Sequence, residues 1–244
     1  MPHPSLADLG SRIGPLSALH IAHAFRRMLI HPAAACDAHA IRLLTGQPHP
    51  FGNFSMLLPG ATAASARTAI TPLLTTPAPA AVLSIGALAP DAESVVTAAG
   101  FERHGGMPAM AVDIDTLAPA PLPPGCTLHR ATDASQRDAW CDVFARGFEL
   151  PLPVSAAFGG SFATDPRPDA DFHHYWVLRD GAPVATSILF LHDGLAGIYA
   201  VSTIPDHRGK GLGAHVTAQP LRIARTLGYR VGVLQASEPG HPVY

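Results

Sequence analysis

Apolar residues recur along this chain with two different periods, and the period changes at glycine- and proline-bearing turns. Ala18, Ile21, Phe25 and Met28 fall at helical spacing behind Ser17, a residue able to cap a helix, and predict a helix to about Ile30. A short strand is expected at Asn53–Leu58, closed by Pro59-Gly60, then a helix over 61–74 with Pro72 near its end. Ala80–Leu88 reads as a buried strand, and Asp91–Ala99 as a helix stopped by Gly100. Met107–Ile114 reads as a further strand. The segments around 1–16 and 161–171 are polar or proline-bearing and read as loops.

The second half has a sharper pattern. Cys126–Arg130 predicts a short strand. A helix capped by Asp133, with Gln136 in the capping-box position, carries Trp140, Val143 and Phe144 on one side and ends near Gly147. Residues 151–160 suit a second short helix. Tyr175–Arg179, Pro183–Phe190 and Ala196–Val201 then form a meander, because Asp180-Gly181 and Asp193-Gly194 are hairpin-turn pairs. A helix over Gly211–Leu227, stopped by Gly228, and a strand at Tyr229–Gln235 complete the order. Pro220 inside that helix predicts a kink. Between the halves, four prolines fall within residues 119–124 and favour an extended segment. The domain expectation is therefore 1–117, a linker at 118–124, and 125–244.

Composition narrows the function. Lys+Arg is 16 against Asp+Glu 18, a net charge of −2, which lacks the clustered basic charge of a nucleic-acid binder. Apolar residues make up 48% of the chain, ample for a core. No apolar run reaches the ~18–20 residues of a membrane span, and no leader pattern follows Met1, so no membrane partner is expected. Three widely spaced cysteines, Cys36, Cys126 and Cys141, fit a reducing, cytoplasmic setting.

The candidate chemistry lies between the meander and the last helix, in Thr203-Ile-Pro-Asp-His-Arg208-Gly209-Lys210-Gly211-Leu212-Gly213-Ala214. Glycines at alternate positions leave backbone N–H groups uncovered, and the helix that follows adds its own unpaired N–H groups and the positive end of its dipole. The combination is an anion cradle suited to a phosphate or pyrophosphate, with Arg208 and Lys210 adding charge. A tight turn that needs glycine for geometry alone is the bland alternative. A dinucleotide fingerprint fits Gly209, Gly211 and Ala214 loosely, but hairpin-linked strands precede it and about thirty residues follow, too few for a doubly wound sheet.

This loop resembles the R/Q-x-x-G-x-G/A signature of the GNAT superfamily of acetyl-CoA-dependent acyltransferases. Val201–Pro205 resembles that family's fourth strand and its exit, and Leu234–Ser237 the end of its fifth. The resemblance covers roughly residues 125–244 and implies a mixed, mostly antiparallel α/β sheet flanked by helices, the acyl-CoA N-acyltransferase fold. It implies acetyl transfer from acetyl-CoA, as cosubstrate without a metal, to an amine of a small molecule or peptide. By position, backbone groups of Val201, Ser202 and Thr203 would pair with the pantetheine arm, and N–H groups from Gly209 to Ala214 would hold the pyrophosphate. Tyr244 occupies the position of a tyrosine that protonates the departing thiolate. The family's helix and two strands after the fifth strand have no counterpart here, so the second domain is expected to lack its last strands. Gly100-Phe101 and Met107–Ile114 resemble the close of the same fold, so 1–117 is read as a degenerate acyltransferase-like domain, structural or walling the acceptor site.

No general base stands out. Glu149, His192 and Asp193 are the candidates, each also ordinary as surface polarity. His173-His174 would point to opposite sheet faces, and His20 and His23 lack a carboxylate or cysteine in spacing, so neither pair predicts a metal. Phe148 is a core residue or lines the acceptor pocket. Two other functions stay open: an inactive acyl-CoA-binding or interaction module, and a nucleotide-dependent oxidoreductase.

Overall fold

A computed structural model describes residues 3–159 and 171–244. In chain order the elements are α1 (Leu6–Leu9), α2 (Ile13–Met28), β1 (Ala34–Cys36), β2 (Ala40–Leu44), β3 (Asn53–Leu57), α3 (Ala63–Leu74), β4 (Ala81–Ser84), α4 (Pro90–Ala98), β5 (Ala109–Asp113), β6 (Cys126–Ala131), α5 (Ala134–Phe148), α6 (Leu152–Phe158), β7 (Phe172–Arg179), β8 (Ala182–His192), β9 (Leu195–Thr203), α7 (Leu212–Thr226) and β10 (Val231–Gln235). Among the described residues no helix is long and apolar enough to cross a membrane.

The chain forms two compact units that do not follow the boundary expected at 118–124. The smaller comprises Ala22–Gly105 and Leu150–Ser161; the larger comprises Met1–Ile21, Gly106–Glu149 and Phe162–Tyr244. The smaller unit is built on the sheet β1-β2-β3-β4, antiparallel except where β3 and β4 run parallel across α3. Its core is lined by small residues, Ala40, Ala61, Ala66, Ala69 and Ala92 around Leu57, with Phe25, Phe51, Phe54 and Phe158 forming a separate aromatic cluster. The strands β1 and β2 have no counterpart in the sequence reading: the run Ala-Ala-Ala-Cys carries no alternation, and β1 is only 3 residues long.

The larger unit holds the sheet β5-β10-β9-β8-β7-β6, antiparallel except for β9 and β10. The meander turns as its sequence demands. Asp180 and Gly181 have φ of 51° and 81°, and Asp193 and Gly194 have 46° and 77°, the paired left-handed values of a tight hairpin. Trp140 of α5 is fully buried and its indole donates to Tyr175 O at 3.0 Å. His173 and His174 do face opposite ways: His173 Nδ1 lies 3.2 Å from the Tyr175 hydroxyl, while His174 packs edge-on against Trp140. Burial drives the His174 pKa down to about 3, so the ring is neutral.

Three expectations are corrected here. The first concerns the loop expected at residues 1–16, whose described part, from residue 3 on, is mostly helical. Ser5 caps α1 in a capping box with Asp8, and α2 begins at Ile13, so Ser17 lies inside the helix, buried, instead of capping it. Pro15 sits in the first turn, where a missing N–H costs no hydrogen bond. The second is the strand expected at 107–114, which belongs to the larger sheet: β5 pairs antiparallel with β10 from Ala109↔Gln235 to Asp113↔Val231. It occupies the edge that the sequence reading left unfilled. The third is the proline segment, which is no free linker. His215 Nδ1 lies 2.7 Å from Ala120 O, Arg222 donates to Leu117 O at 2.8 Å, and Leu122 packs near Leu212 and Val216. Lacking N–H groups, the prolines cannot join the sheet, and α7 side chains take up the free carbonyls instead.

Candidate active site

The site is built where β9 parts from β10. The two strands pair in parallel at Leu195↔Val231, Ala196↔Gly232 and Gly197↔Val233. From Ile198 on, β9 has no strand partner on its β10 side among the described residues, although β9 continues to Thr203 and β10 to Gln235. A bulge marks the divergence: Ala200 has φ 49°, and the register against β8 shifts between Thr186 and Ile188. Val201, Ser202 and Thr203, the residues expected to meet a pantetheine arm, lie just beyond it. Ser202 is buried, its hydroxyl donating to Val143 O at 3.3 Å, and a Cβ on Gly147 would collide with Ser202 Oγ. Gly147 therefore lets the end of α5 close on this strand.

The glycine loop follows directly. Gly209 and Gly211 have φ of 70° and 79°, with open space where a Cβ would stand. Gly211 is the N-cap of α7 and offers no side-chain cap, and no acidic residue lies in the first turn. The first i→i−4 bond is donated by His215 to Gly211 O at 3.1 Å, so the N–H groups of Leu212, Gly213 and Ala214 precede the helical ladder. Leu212 supplies only its backbone to that cradle, because its side chain is buried with Val143, Val184 and Val216. The helix runs without interruption from Leu212 to Thr226 through Pro220.

Arg208 is held by the backbone on either side of the cradle. Its guanidinium donates to Thr203 O at 3.1 Å and to Gly147 O at 2.8 Å, clipping the exit of β9 to the end of α5. Lys210 Nζ donates to Asp206 O at 2.7 Å, across the loop. Both contacts are to carbonyls, so the two positive charges stay beside the cradle without an ion pair among the described residues.

Two hollows of the larger unit adjoin α7. One, of about 490 Å3, is lined by Ala214, Thr217, Ala218 and Leu221 of α7, Leu234 of β10, and Tyr244. The Tyr244 phenol is pushed above its ordinary pKa by burial, and its hydrogen bond with the Thr217 side chain opposes the shift. The other, of about 570 Å3, runs between Lys210, Gly211, Ala214 and the proline segment. Of the candidate bases, His192 and Asp193, 3.4 Å apart, sit in the hairpin before β9. That places the pair at the end of β9 that is still paired with β10. Glu149 lies toward the other end, as the left-handed C-cap of α5 two residues beyond Gly147.

This fold has solved counterparts. A GCN5-related N-acetyltransferase from Kribbella flavida is 21% identical, with 91% of this chain and 85% of that chain covered at a TM-score of 0.60. A GCN5-related N-acetyltransferase from Sphaerobacter thermophilus is 17% identical, with 96% and 85% covered at a TM-score of 0.55. No curated protein sequence matches the chain. The profile of the Acetyltransferase (GNAT) family matches residues 138–244, from within α5 through the glycine loop to Tyr244, and leaves residues 1–137 outside it. That C-terminal stretch is therefore similar in sequence to the GNAT acetyltransferases.

Proposed function

We propose that the protein transfers an acetyl group from acetyl-CoA to an amine acceptor by direct attack on the thioester. The observation that carries this reading is the juxtaposition of an uncapped helix N-terminus, at Leu212–Ala214, with the open edge of β9 at Val201–Thr203. The N–H groups from Gly209 to Ala214 bind the pyrophosphate, and the backbone of 201–203 pairs with the pantetheine arm as an added strand would. The thioester carbonyl is then held where the strands diverge. The acceptor nitrogen attacks the carbonyl carbon, the C–S bond breaks, and the acceptor's surplus proton leaves to solvent. Tyr244 protonates the departing thiolate; its raised pKa keeps the phenol protonated at neutral pH.

A second reading, an acyl-CoA-binding module without turnover, draws on the absence of His192 and Asp193 from the cleft end of β9. Calorimetric titration with acetyl-CoA, followed by a thiol-release assay over a panel of amines, tests both. Binding with release supports the transferase, binding without release the module. Binding of NADH without binding of acetyl-CoA overturns both.

A further inference from the structure

The N-terminal segment reaches the same cleft from the face opposite α7. Alternation along the strands separates the two faces. Ala196, Ile198 and Leu234 pack with Leu221 and Ala224 of α7, whereas Leu195, Val231 and Val233 pack with Leu9, Ile13 and Leu16. The apolar first turns from the N-terminus thus cover the region where β9 and β10 are still paired. One turn further along α2, the side chains become polar as the strands part. Ser17 Oγ accepts from Gln235 Nε2 at 3.4 Å, and His20 Nδ1 lies 2.7 Å from the Tyr199 hydroxyl. Gln235 is two residues beyond Val233, and Tyr199 is two residues beyond Gly197, the last parallel pair. Ser17 and His20, neighbours on one helix face, therefore span the divergence, each holding one of the parting strands.

The contact is fitted. His20 and Tyr199 are 2% and 7% exposed. Gly197 makes room for them, since a Cβ there would collide with the His20 ring and with Tyr199. The His20 ring also lies 4.9 Å from that of Phe190 on β8. Tyr199 immediately precedes the left-handed Ala200 that begins the bulge, so fixing its ring fixes the direction in which Val201–Thr203 part from β10 while still paired with β8.

We propose that Ser17 and His20 are positioning residues for acyl transfer: as a strut from α2 they set the opening between β9 and β10 that receives the thioester arm. This rests on the transferase reading above. Neither residue touches the reacting atoms; both act through Gln235 and Tyr199. The catalytic unit then includes a helix that lies outside the matched family region.

The test combines calorimetric affinity for acetyl-CoA, steady-state kinetics and urea unfolding on the full chain. Tyr199→Phe and His20→Phe each remove the hydroxyl–imidazole contact while keeping an aromatic ring. Both should weaken acetyl-CoA binding about tenfold, seen as a raised KM with a smaller change in kcat. His20→Asn, whose amide can take the place of Nδ1, should restore affinity to within about threefold, and Ser17→Ala should cost about threefold. If these variants lower the unfolding midpoint yet bind acetyl-CoA as the parent does, the pair only packs the core and the proposal is overturned. An Asn variant no better than Phe overturns it as well. A parent chain that binds no acetyl-CoA removes the transferase reading itself, and the strut with it. Should His20→Phe fail to fold, the near-isosteric Tyr199→Phe still decides.

Discussion

The molecule contains the same connection twice, with opposite outcomes. In the smaller unit β3 leads through α3 to the parallel β4; in the larger unit β9 leads through α7 to the parallel β10. The first is closed. Its strands pair from Phe54↔Ala81 to Leu57↔Ser84, and Ile85 then donates to Leu57 O at 3.0 Å, so pairing continues past the ends. Thr62 and Ser65 cap α3 reciprocally, each side chain accepting from the other residue's N–H. The second is open: pairing stops at Gly197, and Gly211 leaves the start of α7 bare. Unsatisfied donors and an unpaired strand edge are costs for stability alone. Their joint presence in one unit, against the reciprocal cap and continued pairing in the other, is what the proposed coenzyme site rests on.

The largest test of that contrast is to fill the open cradle. Gly213 has ordinary φ and room beside it, with Val243 Cγ1 at 3.8 Å from a built Cβ. Gly213→Glu should abolish two or more charge-assisted bonds, each about 1.5–3 kcal/mol, and lower acetyl-CoA affinity a hundredfold or more, by calorimetry, with the unfolding midpoint nearly unchanged. Next, Tyr244→Phe should lower kcat about a hundredfold in thiol release while leaving KM in place, as expected for loss of a general acid.

Acid should then separate the units. The His174 pKa, about 3 when folded, lies below the ordinary value near 6.5. As the pH falls from 6.5 toward 3, the unfolded chain takes up a proton that the folded larger unit refuses. Its stability is complete above that window and falls by about 1.4 kcal/mol per pH unit within it. Trp140 and Trp176, the chain's 2 tryptophans, both lie in the larger unit, so intrinsic fluorescence reads that unit alone. A His174→Leu variant should flatten the dependence. The smallest effect belongs to the closed connection: Thr62→Ala should cost about 1 kcal/mol in urea unfolding through the lost cap, with acetyl-CoA affinity unaltered.

Local signals carried much of this into the sequence. The aspartate–glycine turns, the Asp133 cap of α5 and the glycine loop with its helix onset each depend on neighbours in the chain, and each stands where the pattern put it. What was illegible depends on distant partners. Ser17 resembles a cap by type, and only Gln235, 218 residues away, gives it a place inside a helix. Arg208 resembles a phosphate ligand by position, and only Gly147 O, 61 residues away, turns it into a clip. The strand at 109–113 carries no mark of which sheet it joins, since its partner β10 is chosen by an unfilled edge. The role of His20 had no signal in spacing; the glycine opposite it, at 197, acquires meaning only once β9 and α2 meet.

The discontinuity of the larger unit has a consequence for how the protein is made. Its opening helix contacts β10 across 218 residues of sequence, a stretch that takes on the order of 10–40 s to synthesise at ~5–20 residues per second. Through that interval the apolar stripe of Leu9, Ile13 and Leu16 has been translated while Leu195, Val231 and Val233 have not. The nascent chain thus carries an unmatched sticky surface until Val231 and Val233 have been made, a natural target for chaperones and the point at which the ribosome-bound intermediate is most prone to clump.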